Sequence, residues 1–165
     1  MQLEEENYYL RSLELSDCEQ FYAWSCDRKV TIHSLSSYAY PQSRSDITTW
    51  LLTINSDNNN VSFGICSKEN DQLIGYSGIS SISTLNRSGE YFILIGNKEF
   101  WGQGIGTLVT KLVTHYAIQT LGLHRVQLTA SVLNKGAIRA YAKAGFKHEG
   151  ALLPKSIEPF SILTI

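Results

Sequence analysis

Three glycines stand at every second position from Gly102 to Gly106, inside the stretch EFWGQGIGTLV of residues 99–109. They lie between a predicted strand and an apolar run with helical spacing. The first N–H groups of a helix lack internal partners, and the helix dipole is positive at that end. A strand, a glycine turn and a helix in this order favour binding of an anion such as pyrophosphate, although the glycines could also serve only a tight turn.

Two familiar phosphate-binding motifs do not fit these glycines. A P-loop needs GxxxxGK[ST], but the first lysine after the glycines is Lys111, which excludes it. A dinucleotide-binding fold needs GxGxxG and an acidic residue about twenty positions later for the ribose. The spacing here is GxGxG, and no acidic residue lies between Glu99 and Glu149. Dinucleotide binding is therefore poorly supported.

Few side chains in the second half of the chain could act as a general base. The carboxylates after residue 71 are Glu90, Glu99, Glu149 and Glu158. The histidines are scattered, and we expect each to be structural: His33, His115, His124 and His148. The cysteines are odd in number and have no CxxC spacing: Cys18, Cys26 and Cys66. They indicate neither a disulfide framework nor a metal site, and we expect reduced, mostly buried thiols.

Hydrophobic periodicity and turn signals predict the elements that position these residues. Strands are expected at residues 8–13, 61–67, 72–83, 89–96, 124–132 and 161–165. Helices are expected at residues 16–24, 43–54, from the glycines to about residue 121, and at 134–145. A capping box of Ser16 and Glu19 would start the first helix. The pattern indicates one mixed α/β domain over residues 1–165, with an antiparallel first half.

The composition is that of an ordinary globular protein, with 165 residues, 43% hydrophobic and 18% charged. No run approaches the length of a membrane helix and the first residues are acidic, so we expect a cytoplasmic protein. Residues 1–101 hold seven Lys/Arg against thirteen Asp/Glu, whereas residues 102–165 hold seven against two. The second part suits an anionic ligand and the first could attract a cation, but chance clustering explains the difference equally well.

Two ordered motifs carry a resemblance to a known family. The stretches IGNKEFWGQGIGTLVTKLV and LGLHRVQLTASVLNKGAIRAYAKAGFKHEG resemble the core of the GNAT superfamily of N-acetyltransferases, in its ribosomal-protein-alanine and spermidine acetyltransferase-like subgroup. The resemblance extends upstream and covers nearly everything up to Leu153. It implies a central mixed, mostly antiparallel twisted sheet with helices on both faces and a splayed pair of parallel strands at an acetyl-CoA site. The motifs are specific for this fold and for acetyl-CoA, but not for the acceptor.

The resemblance also implies the residues that bind acetyl-CoA. The glycine loop would wrap the pyrophosphate with main-chain N–H groups from Trp101, Gly102, Gln103, Gly104, Ile105, Gly106 and Thr107. The backbone of the preceding strand would pair with the pantetheine arm as an added strand does, through Ile93, Leu94 and Ile95. That strand should splay from RVQLTASV and leave a V-shaped gap for the thioester. Asn134 matches a family asparagine near the coenzyme, which is compatible with its expected role as a helix cap.

Two residues match catalytic positions of the family. Transfer of an acetyl group from a thioester to an amine needs a neutral amine, a stabilised oxyanion and a proton for the thiolate. Tyr141 matches the tyrosine that faces the sulfur and can protonate it, although its spacing also suits a core residue. Glu90 matches a frequent glutamate that could accept the amine proton, or it could only pair across the sheet. A strand N–H near Leu94 or Ile95 would meet the oxyanion, and transfer would be direct, without a metal.

This chain departs from the family pattern at three places. Trp101 stands where many members have Arg or Gln, and Ala137 replaces a frequent Ser. The C-terminal segment ALLPKSIEPFSILTI is shorter than in relatives, in which it lines the acceptor site. The shortening leaves open both the acceptor and any role of Glu158.

The sequence thus predicts an acetyl-CoA-dependent N-acetyltransferase acting on a primary amine. The candidate acceptors are a protein N-terminus, a polyamine, an amino sugar or a similar small amine, and the acidic first half favours a cationic one. The alternative is a non-catalytic acyl-CoA-binding sensor or partner-binding module with the same fold. We expect no nucleic-acid or membrane partner, and a monomer or homodimer.

Overall fold

An eight-stranded sheet forms the centre of the computed structural model, which describes residues 3–33, 41–56, 58–152 and 160–165. The strands are β1 (Leu3–Glu4), β2 (Tyr8–Arg11), β3 (Val61–Ser67), β4 (Leu73–Ser83), β5 (Ser88–Ile95), β6 (Arg125–Ser131), β7 (Lys147–Leu152) and β8 (Phe160–Thr164). Their order in the sheet is β1-β2-β3-β4-β5-β6-β8-β7. All neighbouring pairs are antiparallel except β5 and β6, which are parallel. The predicted final strand is confirmed as β8.

Helices cover both faces of this sheet. They are α1 (Cys18–Ser25), α2 (Arg28–Thr31), α3 (Arg44–Thr53), α4 (Ile105–Gln119) and α5 (Lys135–Lys143). Helices α1 to α3 bury one apolar cluster, which includes Phe21, Val30 and Ile47. Helices α4 and α5 bury another cluster on the opposite face, which includes Val109 and Tyr141. The expected mixed sheet with helices on both faces is confirmed.

A side-chain cap explains where α3 begins. The Ser43 hydroxyl accepts a hydrogen bond from the Asp46 N–H at 3.1 Å, which starts α3. The predicted capping box of Ser16 and Glu19 is wrong. The Ser16 hydroxyl bonds to Glu14, and the Glu19 carboxylate pairs with Arg44 on α3. Glu19 therefore holds two helices together rather than starting one.

The parallel pair β5–β6 is short, and this creates the opening in the sheet. Its register runs only from Ser88 opposite Arg125 to Glu90 opposite Gln127. Among the described residues, β5 beyond Glu90 pairs only with β4, and β6 beyond Gln127 pairs only with β8. The two strands separate along the remaining length of β5, which confirms the predicted splay.

Side chains of β5 alternate between the two faces of the sheet. Tyr91, Ile93 and Ile95 pack in the cluster under α4 and α5. Leu94 packs in the cluster under α1 to α3, and the Phe92 ring lies against Tyr76 of the same cluster. The alternation predicted for this strand is confirmed, and it assigns each β5 side chain to one side of the opening.

The three cysteines differ in their exposure to solvent. The cysteines are free thiols, but only Cys66 is buried, whereas Cys18 is half-buried and Cys26 is exposed, so the expectation of mostly buried thiols is wrong.

The helices of the described residues include none with the length and the apolar character that a membrane span requires.

Candidate active site

A cleft of about 1480 Å³ opens where β5 and β6 separate. It reaches both faces of the sheet, because Glu90 and Phe92 line it from the face of α1 to α3, and Tyr91 and Tyr141 line it from the face of α4 and α5. All predicted site residues line this cleft except Gln103. The Gln103 side chain donates to the Glu99 carbonyl oxygen at 2.8 Å instead.

The glycine loop presents a row of backbone donors to this cleft. Gly102 and Gly104 have φ values of 77° and 82°, the left-handed region that favours glycine. Gly104 is the N-cap of α4 and carries no side-chain cap. None of the backbone N–H groups of residues 102–107 hydrogen-bonds to a described residue. All of these residues except Gln103 line the cleft, and N–H groups without a described partner at a helix N-terminus suit a polyanion such as pyrophosphate.

Trp101 does not contribute its backbone to this row. Its N–H donates to the Lys98 carbonyl oxygen at 3.1 Å, so this N–H is already engaged. The Trp101 indole Nε1 donates to the Ile95 carbonyl oxygen at 2.8 Å. The residue that replaces the family's Arg or Gln therefore ties the glycine loop to the end of β5.

The free edge of β5 exposes alternate backbone groups to the cleft. The Ile95 carbonyl accepts from Trp101 rather than from β4, and the Phe92 carbonyl accepts from the Ser77 hydroxyl of β4 at 2.8 Å. Since successive residues of a strand point their backbone groups to opposite edges, those of Ile93 and Ile95 face the opening and those of Leu94 face β4. The edge can accept an extended chain through Ile93 and Ile95.

Asn134 stands at the other wall of the cleft. Its side-chain oxygen accepts from the Ala137 N–H at 3.1 Å and caps α5, as predicted. The same residue lines the cleft, next to Ala137 in the first turn of α5. The cap fixes the helix on which Tyr141 is carried.

Tyr141 offers a protonated hydroxyl to the cleft. Its ring packs against Tyr91 and Phe146, each at a centroid distance of 6.2 Å, and 9% of the residue is exposed. Burial raises the pKa of Tyr141 from 10.0 to about 12. No described residue hydrogen-bonds to its hydroxyl, whereas every fully buried polar side-chain atom of the described residues has a partner. The hydroxyl is therefore open to the cleft and neutral at physiological pH.

Glu90 lies at the point where the two parallel strands part. Its Oε1 accepts a hydrogen bond from the Thr129 hydroxyl of β6 at 3.4 Å, and the side chain is half-buried. This bond joins β5 to β6, so Glu90 pairs across the sheet, which was the alternative role predicted for it. It leaves the second carboxylate oxygen free of described side chains, and both residues line the cleft. Glu90 can thus pair across the sheet and still accept a proton.

Two other candidate carboxylates, Glu149 and Glu99, do not line the cleft. Glu149 receives two hydrogen bonds from the Arg125 guanidinium and one from Thr164, and these lower its pKa. Glu99 is exposed beside the glycine loop. Glu158 lies outside the described residues. Within the described part of the chain, no cluster of three His, Cys, Asp or Glu side chains could hold a metal ion.

Several cleft residues were not anticipated from the sequence. Arg28, Lys29 and His33 line it from α2 and the turn that follows, and all three are exposed. Trp50, Tyr76 and Phe92 form an aromatic wall beside them, with the Trp50 and Tyr76 rings 5.6 Å apart. No motif marked these residues, because they come from α2, α3 and the sheet and meet only in the fold.

Comparisons with known proteins agree with this arrangement. The chain matches the family model of the acetyltransferase (GNAT) domain over residues 7–147. The probable N-acetyltransferase YjcK of Bacillus subtilis is 28% identical over 154 residues, 90% of this chain and 84% of that protein. The spermidine N(1)-acetyltransferase of Escherichia coli is 33% identical over 79 residues, 48% of this chain and 42% of that protein. The structure of Vibrio cholerae spermidine N-acetyltransferase in complex with CoA and spermine has a TM-score of 0.86 at 23% identity, covering 98% of this chain and 96% of that chain.

Proposed function

The chain belongs to the GNAT acetyltransferase family, and from this premise we propose that it transfers the acetyl group of acetyl-CoA directly to a primary amine. The observation that carries the proposal is the row of backbone N–H groups at residues 102–107, which have no partner among the described residues and lie beside an open strand edge and the Tyr141 hydroxyl. The thioester of acetyl-CoA supplies the activated acetyl group.

The donor half of the cleft fits coenzyme A chemically. Residues 102–107 would donate to the pyrophosphate through their N–H groups, and Arg139 and Lys143 of α5 line the same cleft with positive charge. The backbone of Ile93 and Ile95 would pair with the amides of the pantetheine arm. The alternation along β5 favours the Ile95 N–H over that of Leu94 as the donor to the oxyanion.

Tyr141 and Glu90 are proposed as acid and base because they reach the opening from opposite faces. Tyr141 belongs to the face of the glycine loop, where the sulfur of the donor would lie, and its neutral hydroxyl can protonate a leaving thiolate. Glu90 belongs to the face of α1 to α3, from which the acceptor would enter. Its carboxylate can take the proton of the attacking amine, directly or through one water.

The acceptor side supports a small molecule or the end of a peptide chain. Relatives are named for spermidine, but those matches cover only about half of this chain. We propose the cytoplasm as the site of reaction because the substrate acetyl-CoA and free thiols are compatible with it. The competing proposal, a non-catalytic acyl-CoA sensor, predicts the same donor binding and no turnover.

Thiol release from acetyl-CoA tests the proposal. The panel of acceptors comprises amines, amino sugars, amino acids, spermidine and short peptides, with acetyl-CoA binding measured in parallel. We expect release with at least one acceptor and a fall in kcat of about 100-fold in Tyr141→Phe, the lower end for loss of a general acid. Tyr116→Phe is the matched control, because Tyr116 packs on Phe63 outside the cleft. Tight acetyl-CoA binding without thiol release for any acceptor would favour the sensor.

A further inference from the structure

We infer that the acceptor amine carries an anionic group, a carboxylate or a phosphate, which Arg28 and Lys29 bind at the mouth of the cleft. This inference rests on the proposed function and names the acceptor class. It follows from the charges that line the acceptor side, from the face on which they lie, and from the pairing of the acidic residues nearby.

The described lining of the cleft is positively charged. It includes Arg28, Lys29, Arg139 and Lys143, and Glu90 is its single carboxylate among the described residues. Neither the Arg28 nor the Lys29 side chain forms an ion pair with a described residue. In the sequence, residues 34–40, which follow His33, contain no charged side chain, and residues 153–159 contain one lysine and one glutamate, which add no net charge. A polycationic acceptor would meet like charge here, whereas an anion would find two free partners.

Arg28 and Lys29 belong to the acceptor face rather than to the glycine loop. They are the first residues of α2, whose Val30 is buried in the cluster under α1 to α3. Glu90 and Phe92 project to this same face, while the glycine loop and α4 lie on the other. Trp50 and Phe92 also line the cleft, so the acceptor can place a short apolar body against them.

The acidic residues of the first half do not offset these cations. Asp17 pairs with Arg11, Glu19 with Arg44 and Glu4 with Lys68, all away from the cleft. Asp27, the nearest in sequence, is bound to Lys98. Among the described residues, Glu90 is the one acidic side chain of residues 1–101 that lines the cleft, so the excess of acid counted along the sequence lies outside the described lining.

Matched acceptor pairs test the inference by thiol release. The pairs are glucosamine 6-phosphate with glucosamine and phenylalanine with phenylalaninamide, with spermidine as the polycation. We expect kcat/KM to be about tenfold higher for the anionic member of one pair, as two exposed ion pairs would supply. The pair that responds distinguishes phosphate from carboxylate. The double variant Arg28→Glu with Lys29→Glu should abolish this preference and raise turnover of spermidine, whereas Lys111→Glu, an exposed charge reversal on α4 outside the cleft, should change neither.

The outcomes separate the inference from the proposed function. Equal turnover of charged and uncharged members, or efficient turnover of spermidine by the wild type, would overturn the inference and leave the acetyltransferase in place. A rise in the acetyl-CoA Kd of the double variant, with acceptor preference unchanged, would assign the two cations to the donor and also overturn it. Absence of turnover with every acceptor would refute the proposed function and the inference with it. Circular dichroism and a second variant, Arg28→Gln with Lys29→Gln, control for folding.

Discussion

Replacing Gly104 by alanine should weaken acetyl-CoA binding, and replacing Gly106 should not. Gly104 has φ of 82° as the N-cap of α4, and its Cβ position has no atom within 4 Å. An alanine there meets no clash, so its whole effect is the strain of the left-handed backbone, about 1–2 kcal/mol. The Cβ position of Gly106 lies 3.7 Å from the Ala140 Cβ, an ordinary contact, and its backbone is helical.

The magnitude follows from where the strain is relieved. If the loop in Gly104→Ala leaves the left-handed conformation, the N–H groups of residues 102–107 lose their common direction, and binding must restore it. A cost of about 1–2 kcal/mol then appears as a roughly 5- to 30-fold rise in Kd. Gly106→Ala should keep the wild-type Kd and raise the free energy of unfolding by up to about 1 kcal/mol, because alanine is the better helix former.

Isothermal titration with acetyl-CoA and urea unfolding of the unliganded proteins measure the two quantities. Gly150→Ala adds a methyl group on β7, where the Cβ position also has no atom within 4 Å and lies outside the cleft, and it controls for a general effect of alanine. If Gly104→Ala keeps both the wild-type affinity for acetyl-CoA and the wild-type stability, the left-handed loop conformation is not needed for donor binding, and the reasoning is refuted. Weakened binding in Gly106→Ala alone would show that the ligand, rather than the turn, sets the need for glycine.

Three other perturbations test the remaining parts of the site. Glu90→Gln should lower kcat about 100-fold at neutral pH and recover at high pH, where the acceptor amine is already neutral; a pH-independent loss would contradict a role as base. Trp101→Phe removes the hydrogen bond to the Ile95 carbonyl and should raise the acetyl-CoA Kd up to about tenfold; tighter binding would show instead that the indole competes with the donor. Folding disfavours the ionised form of Tyr141, because burial raises the pKa of its hydroxyl from 10.0 to about 12. The Tyr141 hydroxyl therefore contributes fully to stability below pH 10, and this contribution is lost as the pH rises towards 12. Over this range the free energy of unfolding should fall about 2 kcal/mol more in the wild type than in Tyr141→Phe. Parallel curves would contradict the raised pKa.

The strands and helices predicted from local signals were recovered, whereas β1, the four-residue helix α2 and β7 were not predicted. The helix cap of Asn134 depends on a residue three positions away, so the sequence alone predicts it. Ser16 and Glu19 have the same spacing, but Arg44 from another helix takes the Glu19 carboxylate. The engaged N–H of Trp101 likewise depends on the turn at Lys98, which the sequence analysis does not predict. Local periodicity carries no information about such competing partners.

The two halves of the cleft use different kinds of chemical group. For this reason, similarity to relatives indicates the ligand of one half better than the ligand of the other. In the proposed site, the donor half would bind through backbone N–H and C=O groups, so its requirement appears in the sequence as glycines and strand spacing. The acceptor half is made of side chains from α2, α3 and β5, and each can change without disturbing the sheet. Arg28 and Lys29 are exposed on a helix of four residues anchored by the buried Val30. Acceptor choice can therefore be altered at these two positions while the donor site stays intact, and for that reason a likeness to spermidine acetyltransferases identifies the donor of this protein more securely than its acceptor.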